Sequence, residues 1–266
     1  MTRSASPELT APPELTTSPA LVVINGDDVY EDLFTAGLKL QDILIEQGFA
    51  ARAVMGTARL ADCANADLIV LYTALGHFPP SAQAALADAV HAGAGLIAVH
   101  ASNVFPSPGG RLDERYRPVF DLIGSRYASH GPPPHESRFR VETDQDHPVT
   151  RGLAPFDITH EHYQLETAVG PGDAGLDAAG PEVVAWRRTP AGREPIVHLR
   201  EAGRGRVCYL QLGHDLRAWD DPPVRELVAR CARWARRTRR ARRTRRTRRP
   251  RRTGWARRDA EQGMAR

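Results

Sequence analysis

The chain has 266 residues, a hydrophobic fraction of 41% and a formal net charge of +4, values that are ordinary for a globular protein. The charge is uneven, because residues 236–266 carry 15 arginines against two acidic residues, whereas residues 1–235 have a net charge of −9. The basic character therefore belongs to the tail at 236–266, and the net charge of the chain does not indicate which substrate residues 1–235 would bind. Three cysteines without CxxC spacing argue against a disulfide framework or a zinc ribbon and favour a reducing compartment.

The two ends of the chain are predicted to lie outside the folded domain, which we place at residues 20–235. Residues 1–19 have no continuous apolar segment, so we expect a disordered leader rather than a signal peptide or membrane span, and a cytoplasmic protein. The arginine-rich tail at 236–266 cannot bury apolar surface. It could contact nucleic acid only through unselective charge attraction, and we prefer to interpret it as an incidental low-complexity extension.

The first half of the domain has the pattern of an α/β protein. Short apolar runs predict buried strands at residues 20–25, 50–55, 66–72 and 95–100. Helical spacing of apolar residues predicts helices at 33–47 and 81–92. Because the strands are apolar on both faces, we expect a parallel sheet between two layers of helices.

The second half is predicted to be richer in strands. A helix is expected at 114–123, followed by a connection at 126–135 that glycine and proline interrupt. We predict that several later strands extend the same sheet in antiparallel fashion; the candidates are 139–143, 158–166, 182–187, 196–200 and 206–211. A last amphipathic helix should open at Pro222 and end near Ala235.

His100 has the most informative position in the sequence, because it stands in a tight turn directly after the fourth predicted strand. Ligands of doubly wound α/β proteins collect at the carboxyl ends of such strands. His77 follows the third predicted strand and should lie on the same edge of the sheet, which predicts a shared cleft. Ser102 is the serine near this turn, but the G-x-S-x-G form of a serine nucleophile is absent.

Further histidines lie at other predicted strand ends and loops. His130 stands in the glycine- and proline-rich connection, His160 and His162 flank Glu161, and His214 follows the last strand. Imidazoles near a carboxylate can act as general acid and base or bind a divalent metal. On a continuous strand, His160 and His162 would point to one face and Glu161 to the other.

Other chemistries have weaker support in the sequence. Cys63, Cys208 and Cys231 are interpreted as structural, because they fall in a connecting loop, within a strand and on the core face of a helix. No P-loop or G-x-G-x-x-G motif follows the first strand, so a tightly bound nucleotide is not expected.

An ordered series of motifs resembles the ThuA-like family, named for trehalose utilisation. The matching segments are 93–102, 120–124 with Tyr127 and His130, 146–153, 161–163, 203–209, 212–215 and 219–222. The resemblance implies a flavodoxin-like, class I glutamine amidotransferase-like three-layer sandwich with a mainly parallel sheet and antiparallel additions. In those amidotransferases a cysteine would be expected at the turn where this chain has His100.

The resemblance also implies a role in sugar metabolism. We therefore predict a protein that binds a sugar or keto-sugar; if it also transforms the sugar, we expect histidine acid/base chemistry without a cysteine nucleophile. The candidate catalytic residues are His77, His100, Glu161, His214 and Asp215. The candidate substrate-binding residues are Asp27, Ser102, His130, His162 and Tyr163, with Asp27 or Asp28 standing in a loop where family members often carry a histidine.

Two alternatives remain open at this stage. One is a divalent-metal-dependent hydrolase that uses the same histidines as ligands, and the other is a non-catalytic module that binds a small molecule or a partner. The expected partner is a small carbohydrate, and no membrane contact is expected. The sequence leaves cofactors, metal dependence and oligomeric state undetermined.

Overall fold

The computed structural model describes residues 17–26, 32–74, 78–167 and 180–236. Its strands and α-helices follow the chain in a β-α-β order that becomes mostly β in the second half. They are β1 (Ser18–Gly26), α1 (Leu33–Glu46), β2 (Phe49–Met55), β3 (Leu68–Ala74), α2 (Pro80–His91), β4 (Gly95–Val99), α3 (Arg117–Ile123), β5 (Ser125–Ser129), β6 (Glu136–Thr143), β7 (Phe156–Glu161), β8 (Gln164–Thr167), β9 (Glu182–Thr189), β10 (Gly192–Ala202), β11 (Gly205–Leu210), α4 (Leu216–Asp220) and α5 (Pro222–Ala235).

Nine strands form one sheet in the order β2-β1-β3-β4-β11-β10-β9-β6-β7. The first five are parallel to one another, with β11 parallel to β4, and the last four continue the sheet in antiparallel fashion. The order 2-1-3-4 matches the flavodoxin-like arrangement, in which the chain reverses its direction of progress between β1 and β3. The predicted α/β sandwich, with a parallel sheet and antiparallel additions, is confirmed.

Two hydrophobic layers cover the sheet. Along β1, Val22 and Ile24 pack on the side of α1 and α5, whereas Leu21 and Val23 pack on the side of α2 and α3. The apolar residues of both faces are almost fully buried, as a sheet between two helix layers requires. None of the helices in the described part of the chain is both long and apolar enough to cross a membrane.

The structure divides one segment that the sequence predicts as a single strand. Residues 158–166 do not form one element, because β7 ends at Glu161 and joins the large sheet, whereas β8 pairs with β5 in a separate two-stranded sheet. The predicted loop at 126–135 accordingly begins with most of β5. Both halves of 158–166 have strand-forming residues and no breaker between them, so tertiary pairing alone decides where the strand stops.

Candidate functional site

The turn of residues 100–103 follows β4, and we call it the elbow. It begins with strained backbone at His100. Its φ is +47°, and among the described residues it is the one non-glycine residue in the left-handed region, a conformation that costs about 1–2 kcal/mol. The Ser102 hydroxyl donates to the carbonyl of Leu71 at 2.9 Å and accepts from the amide of Thr73 at 3.1 Å. The Tyr209 hydroxyl donates to the carbonyl of His100 at 3.0 Å. Contacts from β3 and β11 therefore fix the elbow.

The imidazole of His100 lies at the centre of a group of polar side chains. Nδ1 lies 2.8 Å from the carbonyl oxygen of Gln211, which can only accept, so Nδ1 carries a proton. Nε2 lies 2.8 Å from the Tyr163 hydroxyl, 3.2 Å from Nδ1 of His214 and 3.2 Å from Oε2 of Glu161. The His100 side chain is fully buried, so its partners reach it from inside the protein.

Glu161 connects two further imidazoles to this centre. Its Oε2 lies 3.0 Å from Nδ1 of His214, and its Oε1 lies 2.9 Å from Nε2 of His130. Burial raises the pKa of Glu161, but the adjacent imidazoles of His100 and His214 outweigh burial and hold the pKa below its usual range. We call His100, His130, Glu161, Tyr163 and His214 the histidine cluster. Glu161 is its ionised member and its bridge.

His130 and His214 are the more accessible members of the cluster, with 26% and 24% of their side chains exposed. Nδ1 of His130 lies 2.8 Å from the Tyr127 hydroxyl, and the His135 ring stacks on His130 at 4.7 Å between centroids. Burial and the negative charge of Glu161 raise the pKa of Tyr127, so its hydroxyl remains a proton donor at neutral pH. A small molecule approaching the cluster would meet these exposed rings first.

His160 supports the cluster from behind. Its Nε2 accepts hydrogen bonds from the amides of Gly213 at 2.8 Å and His214 at 3.0 Å, and its Nδ1 donates to the carbonyl of Glu161. Burial, followed by the neighbouring imidazole of His100, lowers the pKa of His160 to about 3. A neutral His160 therefore fixes the backbone on which His214 is mounted. The sequence places His160 in a weak metal motif and gives no signal of this anchoring role.

Two predicted site residues, His162 and Asp215, have side-chain partners outside the cluster. His162 packs against Phe139, with ring centroids 6.4 Å apart, whereas His160 bonds the segment that carries His214, so the two histidines have different surroundings. The strand ends at Glu161, and the alternation of faces does not continue to His162. The Asp215 carboxylate instead accepts from the Arg217 amide at the start of α4 and pairs with the Arg217 guanidinium.

Of the remaining predicted site residues, one lies in the elbow and two fall outside the described part of the chain. Within the described part of the chain, Ser102 bonds backbone groups of β3, as described above, and thus has a structural role in the elbow. His77 and Asp27 lie outside the described residues. The sequence reasoning omitted Tyr127 and His135 from the site, although Tyr127 stands beside His130 in one of the matching motifs and offered a signal for its inclusion.

Three side-chain atoms of the cluster that could bind a metal ion lie close together. His100 Nε2, His214 Nδ1 and Glu161 Oε2 are separated by 3.2, 3.2 and 3.0 Å. Tetrahedral ligands at zinc bond lengths lie about 3.3 Å apart. In a neutral His100 ring, Nδ1 carries the proton and Nε2 is an acceptor. Nε2 then faces the Glu161 oxygen, which is also an acceptor, with no proton between them. An additional proton or a cation would relieve that contact.

The fold and the site define an α/β protein in which histidine occupies the elbow and a carboxylate gathers several imidazoles at the strand ends. A family model described as trehalose utilisation, ThuA, matches residues 20–235. The chain belongs to the ThuA family. No curated protein matches the sequence.

Solved structures with the same fold include ThuA-like proteins of low sequence identity. A putative ThuA-like protein from Parabacteroides merdae is 20% identical, with a TM-score of 0.60 over 82% of this chain and 90% of that chain. One from Bacteroides uniformis is 18% identical, with a TM-score of 0.61 over 82% and 91%. A β-galactosidase from Bacillus circulans sp. alkalophilus matches at 12% identity and a TM-score of 0.54, over 82% of this chain and 31% of that chain.

Proposed function

We propose that this protein binds a sugar or keto-sugar and transfers a proton at a hydroxyl or at a carbon beside a carbonyl. The observation that carries the proposal is that Glu161 holds one imidazole on each carboxylate oxygen, next to the buried His100. Separate structural histidines, as expected for a non-catalytic module, have no need to converge on one carboxylate. The family description as trehalose utilisation supports a carbohydrate substrate.

His214 is the proposed base. In the neutral ring, Nδ1–H donates to Oε2 of Glu161, which leaves Nε2 unprotonated and able to accept a proton. The ionised carboxylate stabilises the imidazolium that forms, and His160 keeps the backbone of His214 in place. Nε2 of His130 donates to the other carboxylate oxygen, and Nδ1 accepts from the Tyr127 hydroxyl. That hydroxyl would turn from Nδ1 to donate to the adjacent substrate oxygen as charge develops there.

The test is deuterium incorporation in D₂O, followed by NMR, with trehalose, glucose and the keto-hexose fructose as probes. We expect the wild-type protein to catalyse exchange at a carbon beside the carbonyl of fructose. His214→Gln and Glu161→Gln should each slow that exchange about 100-fold or more, whereas His147→Gln, which changes a histidine outside the cluster, should not. Absence of exchange and conversion with every probe, or unchanged rates in the two cluster variants, would refute the proposal.

A second candidate function is metal-dependent hydrolysis, which the donor spacing of 3.0–3.2 Å specifically favours. His100, Glu161 and His214 would supply three ligands, and the fourth position would take water or substrate, as in catalytic zinc sites. The bond from Nδ1 of His100 to the Gln211 carbonyl is the kind of contact that orients a metal-bound imidazole.

Metal analysis separates the two candidates. Protein purified without added metal should contain about one divalent ion per chain if the metal site is real. The ion should be lost from Glu161→Gln and His214→Gln and retained by His147→Gln. Metal-free wild-type protein that still catalyses deuterium exchange, and gains no activity from added zinc or manganese, would contradict the metal candidate and leave the acid/base proposal standing.

A further inference from the structure

A cavity of about 380 Å³ lies beside the elbow at the carboxyl ends of β1 and β3. This size falls within the roughly 300–1,000 Å³ of ordinary small-molecule sites. We call it the switch-point cavity, because β1 and β3 are the strands between which the chain order reverses. Its lining comprises Asn25, Thr57, Thr73, Phe78, Ala101, Ser102, Val104, Phe105, Pro106 and Tyr116. Open α/β sheets bind ligands in this crevice.

The elbow joins this cavity to the histidine cluster. Ala101 and Ser102 line the cavity, and His100, the residue before them, is the centre of the cluster. Neighbouring Cα atoms are about 3.8 Å apart, so the backbone turn is the partition between the two. A ligand held in the cavity therefore lies next to the strand end that carries the proposed chemistry.

The lining has two kinds of surface. Phe105 and Tyr116 present nearly parallel rings, 6.0 Å between centroids, and Phe78 adds a third aromatic side chain. Asn25 and Thr73, near the ends of β1 and β3, supply amide and hydroxyl groups. Among the described residues, the Thr73 hydroxyl has no hydrogen-bond partner, although its backbone amide bonds Ser102. A ring with apolar faces and hydroxyl edges matches such a lining.

Charge narrows the ligand class further. None of the described residues that line the cavity has a charged side chain. A phosphate or carboxylate placed against these described residues would find no cation among them to offset its loss of hydration, which is costly. Uncharged hydroxyl groups can instead bond the polar lining groups directly.

We infer that the switch-point cavity binds a neutral sugar ring, the part of the substrate that does not carry the reacting atoms. This inference rests on the proposed function for the class of ligand. Its evidence, the position, lining and charge of the cavity, is separate from the contacts within the histidine cluster.

The test is calorimetric titration of the full chain with the methyl glycosides of glucose, galactose and mannose, and with glucose 6-phosphate as the charged counterpart. At least one glycoside should bind, and glucose 6-phosphate should bind more weakly. Thr73→Val removes one hydroxyl at constant shape and should weaken binding about fivefold, the loss of one hydrogen bond. Phe105→Leu keeps an apolar side chain and should weaken binding through loss of the aromatic face.

Two variants complete the design. Thr159→Val, at an exposed threonine on β7, is the matched control and should bind like wild type. Glu161→Gln should retain sugar affinity within about twofold while losing deuterium exchange. Failure of the proposed chemistry, with intact binding that Thr73→Val weakens, would leave this inference standing. Binding of no glycoside, tighter binding of the phosphorylated sugar, or wild-type affinity in both Thr73→Val and correctly folded Phe105→Leu would overturn it; thermal unfolding verifies the fold.

Discussion

His160 and His162 have the same side chain, lie two positions apart and are buried to 2% and 5% exposure, yet their environments differ. His160 accepts two backbone amides from the segment that carries His214. His162 has an Nδ1 without a hydrogen-bond partner in the described structure. The exposed fraction alone therefore does not indicate how much an imidazole contributes to stability. The number of polar groups that hydrogen-bond to it is the better guide.

This contrast predicts a difference in stability. His160→Leu leaves the amides of Gly213 and His214 without their acceptor, and an unsatisfied buried group costs about 1–3 kcal/mol. We expect His160→Leu to lower the free energy of unfolding by about 2–4 kcal/mol, measured by urea denaturation. His162→Leu removes an unpaired polar atom and should cost less than about 1 kcal/mol. Equal losses in the two variants would contradict the anchoring role of His160.

The turn of residues 100–103 presents the cluster because its backbone is forced into the left-handed region at His100. A Cβ atom is unfavourable there, whereas glycine adopts this conformation freely. Elsewhere in regular structure, alanine is usually more stable than glycine by about 0.5–1 kcal/mol. The elbow should reverse that order.

The comparison of His100→Gly with His100→Ala tests the strain directly. Both variants remove the imidazole and leave nearly the same space, so the difference between them reports the backbone. We expect His100→Gly to be the more stable of the two by about 1 kcal/mol, measured by chemical denaturation at pH 7. A more stable His100→Ala variant would mean that the positive φ is not retained in solution.

The sequence predicts some members of the histidine cluster and does not distinguish others from their neighbours. The sequence singles out His100 and His214 as residues at strand ends, but their proximity follows from the parallel pairing of β4 with β11. That pairing was not predicted, because 206–211 was among the candidates for antiparallel strands. The contributions of Glu161, His162 and Asp215 could not be separated in advance. They depend on where β7 stops and α4 starts. No glycine or proline within residues 160–163 marks the end of β7, and Gly213 stands two residues before Asp215, the N-cap of α4. Local periodicity describes a strand but not its last residue.

At the scale of the whole molecule, the core contains an ionisable group outside the histidine cluster. His198 is fully buried, and its Nε2 lies 2.8 Å from the Ser125 hydroxyl. Burial, together with the positive charge of Arg200, lowers the pKa of His198 to about 3. The folded protein therefore keeps this ring neutral at pH values where the unfolded chain protonates it.

The sign of the resulting pH dependence follows from linkage. Between about pH 6.5 and pH 3 the unfolded state binds a proton that the folded state does not, so stability falls as the pH falls, by up to about 1.4 kcal/mol per pH unit. His198→Leu should have a shallower loss of stability between pH 6.5 and 4.5 than wild type, whatever its stability at pH 7. Urea denaturation at several pH values measures this; parallel curves for the two proteins would contradict it.

The use of histidine at the elbow leaves all three cysteines free of any role in the cluster, and each is buried: Cys63 at 1% exposure, Cys208 and Cys231 at 0%. Burial and the neighbouring Cys231 also raise the pKa of the Cys208 thiol, which disfavours the reactive thiolate. Alkylating reagents should therefore spare the native protein. The three thiols lie beneath α2, within β11 and on α5. Their separate labelling rates would therefore measure how often each of these parts of the domain opens.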